Sequence, residues 1–247
     1  APRRRAAKGS IAGGDTSTDF NFYTKRATLA GVYSPMAATV HPGKLVRGLR
    51  RVALAMGVRI HERSPMLEFS TGNPAVVRTP CGTVEARKVV LAINAWMAST
   101  FAQFEGTLAI VSSDMVITEK CPELLREIGL TDGVSVLDSR TFVYYYRSTV
   151  DGRIMLGKGG NTFARGGRIA PVFDQRSPYE AQLTQALHSF FPALRDTPIT
   201  ASWNGPSDRS VTGFPFFGRL DGAPHISYGF GYSGNGVGPS YMGGQIL

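Results

Sequence analysis

Between Tyr228 and Pro239 the chain reads Tyr-Gly-Phe-Gly-Tyr-Ser-Gly-Asn-Gly-Val-Gly-Pro, with five glycines placed directly after the apolar stretch His225–Tyr228. Such a run is neither a helix interior nor a regular strand, because glycine loses more backbone freedom on ordering than any other residue. It reads as a strand, a tight turn and the start of a helix over 239–247, a helix whose pattern looks unfinished at Leu247. Glycines let a backbone approach a planar or anionic group closely, and the amides that open a helix favour negative charge. A glycine-rich loop that holds nothing satisfies the same pattern, and the pattern alone leaves both readings open.

Upstream, Leu45, Val46, Leu49, Val52, Ala53 and Met56 recur at helical spacing after Pro42-Gly43, with Lys44, Arg47, Arg50 and Arg51 on the other side and Gly57 as the stop. Val58–Ile60 is expected as a short strand immediately after it, the helix-glycine-strand order of an α/β layer. Strands are expected over 66–69, 75–79 and 83–87, the last two joined through Pro80-Cys81-Gly82. Val89–Ile93 is continuously apolar, the pattern of a strand buried on both faces, and leads through Asn94-Ala95-Trp96 into a short helix.

The middle of the chain changes character. Alternation around 109–118, 142–147 and 153–156 predicts a larger antiparallel sheet, with helices over 122–128 and 179–191. Ser177-Pro178-Tyr179-Glu180 marks the start of the second helix with a capping serine, a proline at the first position and a glutamate at the third. The expected fold class is α+β: an α/β layer over 30–100 and 205–247, and an antiparallel domain over 101–204. Residues 1–29, small and polar, read as a flexible leader.

Only two cysteines occur, Cys81 and Cys121, which is no disulfide framework and fits a reducing cytoplasm. No apolar run approaches the ~20 residues of a spanning helix, so no membrane partner is expected. The formal net charge of +9 invites a nucleic-acid reading, but the basic residues are scattered along the chain and the densest run, Arg3–Arg5, lies in the small, polar leader. A basic surface that attracts anionic small molecules is preferred to nucleic-acid binding. No Cys/His set has metal-ligand spacing, and His41, His61, His188 and His225 form no triad, although His41, before the Pro-Gly that opens a helix, is a candidate for facing a site.

Four segments taken in order resemble the superfamily of D-amino-acid oxidase, glycine oxidase and sarcosine oxidase. They are Thr39–Leu49 running to Ile60, Lys88–Trp96, Trp203-Asn204-Gly205 with Pro215–Gly218, and Gly231–Pro239. The resemblance implies an FAD-dependent oxidoreductase acting on the C–N bond of a small-molecule primary or secondary amine or amino acid, with the redox chemistry done by the flavin. It implies a place for Met66 near the adenine and for Ala92, Asn94, Ala95 and Trp96 near the ADP portion. Gly231, Tyr232, Ser233, Gly234, Asn235, Gly236 and Val237 would lie against the isoalloxazine ring.

The chain departs from the family's pattern at three places. The opening strand and G-x-G-x-x-G fingerprint has no counterpart, since Gly9–Gly14 neither follows an apolar strand nor opens a helix. The expectation is that an N-terminal segment or a partner chain completes the flavin site, the alternative being a non-catalytic fragment that keeps the fold without binding flavin alone. Ser207 stands where glycine-oxidase-like members place a carboxylate-binding Arg, with Arg209 two residues on, which opens aminoalkylphosphonates and polyamine derivatives beside simple amino acids as substrates. Met155 stands where sarcosine-oxidase-like members place an oxygen-activating Lys, with Lys158 three residues on, so oxygen and another electron acceptor are both open. On the strand carrying Tyr144, Tyr145, Tyr146 and Arg147, alternation puts Tyr144 and Tyr146 on one face. One face is expected to line the substrate cavity or merely to be half-buried, and Tyr144, Tyr146, Arg209 and Lys158 are the candidate catalytic side chains.

Overall fold

The computed structural model describes residues 32–247, so the expected leader over 1–29 lies outside the described residues. The chain runs through α1 (Pro42–Ala55), β1 (Glu68–Ser70), β2 (Ala75–Thr79), β3 (Gly82–Ala86), β4 (Val89–Leu91), α2 (Met97–Thr100) and β5 (Leu108–Thr118). It continues through α3 (Pro122–Glu127), β6 (Ser135–Leu137), β7 (Tyr144–Ser148), β8 (Ile154–Phe163), α4 (Glu180–Phe190), β9 (Ile199–Ser210), β10 (Phe216–Leu220), β11 (Ala223–Phe230) and α5 (Val237–Ile246). Two compact units divide it: one gathers 41–112, 162–173 and 206–247, and the other gathers 32–40, 113–161 and 174–205.

The unit that contains the glycine loop is an α/β layer. Its three-stranded sheet has the order β10-β11-β4, with β10 and β11 antiparallel and β11 and β4 parallel. Asp221-Gly222 closes the β10/β11 turn between the paired Leu220 and Ala223, as this dipeptide favours. Ile226, Phe230, Met97 and Ala223 are fully buried together, and the Phe104 ring meets Tyr228 and Phe230 edge-on at 4.8 and 4.9 Å. This apolar cluster, by excluding water, fixes the exit of β11 from which the glycine loop departs.

Beside it, β1, β2 and β3 form an antiparallel meander, in which Glu68 pairs with Arg78 across the β1/β2 ladder. The helix α1 forms where the apolar periodicity places it. His41, expected as a candidate site residue, instead caps this helix, its Nδ1 accepting the Lys44 N–H at 3.3 Å. None of the α1 residues is buried. Val58–Ile60 is not a strand, because none of the described residues offers it a ladder partner. Nor is β4 buried on both faces: it is the last strand of its sheet, and Val90 is 56% exposed.

The other unit is built on the five-stranded sheet β6-β7-β8-β5-β9, through those parts of β8, β5 and β9 that fall within it, with β6/β7 and β7/β8 antiparallel. Its core lies on one face of that sheet, where Val116, Ile154 and Leu156 meet Leu183 and Leu187 of α4 together with Phe191 and Leu194. The start of α4 follows the expected chemistry with a shift. The Ser177 hydroxyl accepts the Tyr179 N–H at 3.1 Å, the regular helix begins at Glu180, and Glu180 pairs with Arg176 rather than folding back on the cap.

Candidate functional site

The apolar strand β11 ends at Phe230, and the chain turns at once. Gly231 has φ +84 and Gly234 has φ +86, values that an L side chain resists. A Cβ at Gly231 would also meet the Phe216 ring at 2.8 Å, and one at Gly234 would run into the Arg209 guanidinium. Two side chains hold the turn from outside. Asn94, itself left-handed with φ +41, accepts the Gly231 N–H through Oδ1 at 3.2 Å. Asp208, only 1% exposed, accepts the Ser233 N–H through Oδ1 at 3.1 Å. Ser233, another non-glycine residue in the left-handed region (φ +54), sends its hydroxyl to the Gly231 carbonyl at 3.2 Å, and the same oxygen accepts the Ser210 N–H at 3.0 Å.

The loop then passes through Asn235 and Gly236 into α5. The first amides of a helix have no acceptor within it, and its N-terminal end carries partial positive charge. Gly236 and Val237 therefore open a site suited to an electron-rich, planar group, and the Arg209 guanidinium adds a full positive charge next to Gly234. These residues fit the flavin ring that the sequence resemblance implies: close backbone approach is permitted by glycine, and the electrostatics favour a ring that becomes more negative when reduced.

The other expected cofactor residues are placed less uniformly. Asn94 joins the loop directly. Ala95 is 1% exposed and faces the core, Ala92 is exposed, and the Trp96 ring is about half exposed. Met66 is half-buried just ahead of β1, where the Leu67 N–H bonds to the Arg78 carbonyl. Tyr232 packs its ring edge-on to Phe217 at 6.2 Å, beside Gly243 of α5.

In the antiparallel unit, the β7 side chains alternate as expected. Tyr144 and Tyr146 lie on the α4 side, with Tyr144 edge-on to Phe190 at 5.5 Å and Tyr146 edge-on to Phe191 at 5.0 Å. Burial pushes the Tyr146 hydroxyl above its ordinary pKa. Lys158, paired across the ladder with Tyr144, shares that face: its Nζ lies 5.8 Å from the Tyr144 ring centre and donates to Asn161 Oδ1 and the Gly159 carbonyl, both at 3.0 Å. Asn161 in turn donates to the buried Asp114, whose other oxygen accepts the Ser177 hydroxyl at 2.6 Å. Lys158 is thus tied into a polar chain reaching the start of α4.

Tyr145 points the other way. Its hydroxyl lies 2.5 Å from that of Ser113, and its ring occupies space that only the absence of a side chain at Gly157 leaves free. Arg147 shares that face by alternation and donates to the Val40 carbonyl at 3.1 Å. Sequence reasoning missed Asp208 and Ser113. Asp208 lies between the two residues singled out, Ser207 and Arg209, yet its partner Ser233 is 25 positions away and no local spacing announces it.

The family of FAD dependent oxidoreductases matches residues 16–247. The chain belongs to that family. It is 30% identical over 214 residues to gamma-glutamylputrescine oxidoreductase of Escherichia coli, covering 84% of this chain and 46% of that protein. It is 27% identical over 224 residues to a probable oxidoreductase, OrdL, of Haemophilus influenzae, covering 89% of this chain and 48% of the other. The chain therefore spans about half the length of the curated relatives it matches. Its fold is that of glycine oxidase from Geobacillus kaustophilus, with a TM-score of 0.63 at 20% identity over 82% of this chain and 51% of that one. Iminodiacetate oxidase from Chelativorans superposes as well, with a TM-score of 0.63 at 18% identity over 82% of this chain and 52% of the other. The fold class is α+β, and FAD is the cofactor of the family. Among the described residues, no helix is long and apolar enough to cross a membrane, and no three His, Cys, Asp or Glu side chains converge as a metal site would require.

Proposed function

We propose that this chain supplies the later part of the flavin domain and the substrate domain of an oxidoreductase that converts the C–N bond of a primary or secondary amine, or of an amino acid, to an imine. The observation that carries the reading is the clamped loop from Gly231 to Val237, turned by two left-handed glycines, held by Asn94 and Asp208, and ending on the N-terminus of α5. The similarity to gamma-glutamylputrescine oxidoreductase favours a polyamine derivative within that class. Ser207 in place of a carboxylate-binding arginine agrees with a substrate lacking a free α-carboxylate at that point.

In this reading the unit with β10, β11 and β4 is the flavin domain and the unit with α4 is the substrate domain. A bound flavin would supply the redox chemistry as acceptor of a hydride equivalent, two electrons and one proton, from the carbon that bears nitrogen, while the nitrogen gives up a proton to solvent. The chain's own residues orient and polarise. Gly236 and Val237 present backbone amides to the ring, and Arg209 stabilises negative charge beside the loop. Tyr145 and Ser113 offer a polar pair on the sheet face opposite α4, so we assign substrate contact to Tyr145. Tyr144, Tyr146 and Lys158, bound to the α4 side, act through the rigidity of the sheet.

A second reading has its own observation. Among the described residues the apolar side of α1 is uncovered, with Val46 63%, Leu49 60% and Val52 53% exposed, and β4 ends its sheet. Surface of this kind supports a further segment, carried by a longer chain or a partner, that brings the G-x-G-x-x-G motif and without which flavin does not bind. Both cysteines are free, in keeping with a reducing, cytoplasmic setting. The deciding experiment is the visible spectrum of the purified chain and of a longer version that includes upstream sequence. Flavin bands in the longer version, bleached by amines, support the oxidoreductase. No bands and no uptake of added FAD in either version would sink it.

A further inference from the structure

We propose that Asp208 is a positioning residue for the flavin, holding Ser233 in its left-handed conformation so that the loop presents its amides to the ring; the inference rests on the flavin reading of that loop. The carboxyl is 1% exposed, and Oδ1 accepts the Ser233 N–H at 3.1 Å. Its Oδ2 is buried with no hydrogen-bond partner among the described residues. A half-satisfied buried carboxyl is a poor choice for stability alone, since an apolar residue would leave no orphaned polar atom there. A carboxyl at this spot fits a geometric task.

That task is visible at Ser233. A serine at φ +54 resists its own conformation, because its Cβ crowds the backbone in the left-handed region. Two neighbours on β9 impose it, the Asp208 carboxyl on the Ser233 N–H and the Ser210 amide on the Ser233 hydroxyl. With Ser233 turned this way, the hydroxyl returns to the Gly231 carbonyl at 3.2 Å and closes the turn that Asn94 holds from its other end. Release of the Ser233 N–H frees the segment between Gly231 and α5, and with it every amide assigned to the ring.

The test compares D208A, D208N and the double variant D208A/S233G. Hydrogen exchange read by mass spectrometry needs no flavin: D208A is expected to speed exchange in peptides spanning 229–237 while peptides of α4 stay unchanged, and D208N, which keeps an acceptor at Oδ1, is expected to stay near wild type. In the longer, flavin-loaded protein, D208A weakens FAD binding at least about tenfold, the scale of one lost buried hydrogen bond. D208A/S233G recovers part of that loss, because glycine adopts the left-handed conformation unaided, although the hydroxyl bonds to Gly231 and Ser210 go with the serine. D208S, too short to reach the Ser233 amide, replaces D208A in every comparison if the alanine variant folds poorly.

Wild-type-like FAD affinity in D208A, or accelerated exchange in α4 with no rescue by S233G, would overturn the proposal. A wild-type longer protein that takes up no FAD overturns the flavin reading itself, whereas one that binds FAD with D208A unaffected overturns this inference alone.

Discussion

Asn94 Oδ1 accepts the N–H of Gly231 at 3.2 Å, joining the residue that follows β4 and Ile93 to the first residue of the glycine loop across 137 positions. The side chain and backbone of Asn94 act together, since asparagine is among the few non-glycine residues that tolerate φ +41. N94A loses the bond and adds strain, so a loss of about 2 kcal/mol is expected. N94G loses the bond without the strain and is expected to cost about 1 kcal/mol. Urea midpoints of the two variants check the order, and an alanine variant as stable as the glycine variant would remove the clamp from the account.

Gly157 sets a second close approach. A Cβ there would strike the Tyr145 ring and Met115 Sδ, so G157A is expected to destabilise by about 1–3 kcal/mol through overpacking. Y145L frees part of that space. In the double variant the two effects are therefore expected to be non-additive, with the G157A cost smaller in the Y145L background. Chemical denaturation of the four proteins completes the cycle, and strict additivity would show that the ring gives way freely.

What the sequence discloses here follows from how local each signal is. The spans of α1 and α4 and the β2/β3 hairpin are legible because apolar periodicity, a capping serine and a Pro-Cys-Gly turn all lie within a few residues of the element they define. By contrast, β9 runs from Ile199 to Ser210 across the boundary expected between 204 and 205 and carries Gly205 and Pro206 at its centre, and it persists there because the neighbouring strand β5 holds it. The β10/β11 hairpin had a local signal in Asp221-Gly222. Val58–Ile60 shows the converse: strand-like composition does not make a strand where no ladder partner is supplied. At the candidate site the glycines were legible, and Asn94 was singled out for another role, but the anchoring of the loop was not legible, because Asn94 and Asp208 reach partners 137 and 25 residues away.

Tyr146 gives a pH prediction. Burial disfavours its phenolate and raises its pKa in the folded protein above the ordinary value of about 10. The folded state then holds this proton more tightly than the unfolded state. The resulting stability is fully present below pH ~10 and is lost as pH rises from there through the folded pKa. Y146F keeps the ring against Phe191 but removes the titration, so its stability between pH 9 and 11, taken as about one unit either side of the ordinary tyrosine pKa, is expected to fall less than that of wild type. Parallel alkaline slopes in urea titrations would assign the loss to other groups.

The apolar side of α1 offers a test that separates the two functional readings. Leu49 is 60% exposed and contributes little to the stability of the described unit, so L49Q, a change between two good helix formers, is expected to shift stability by no more than ~0.5 kcal/mol in this chain. If Val46, Leu49 and Val52 receive a nucleotide-binding segment, the same substitution buries an unpaired amide at that contact in the longer version. FAD uptake there is expected to fall several-fold while the melting of the shorter chain stays constant. Equal FAD affinity of L49Q and wild type in the longer version would mean that this face is not where the flavin site is completed. The clamped loop alone would then have to account for cofactor binding.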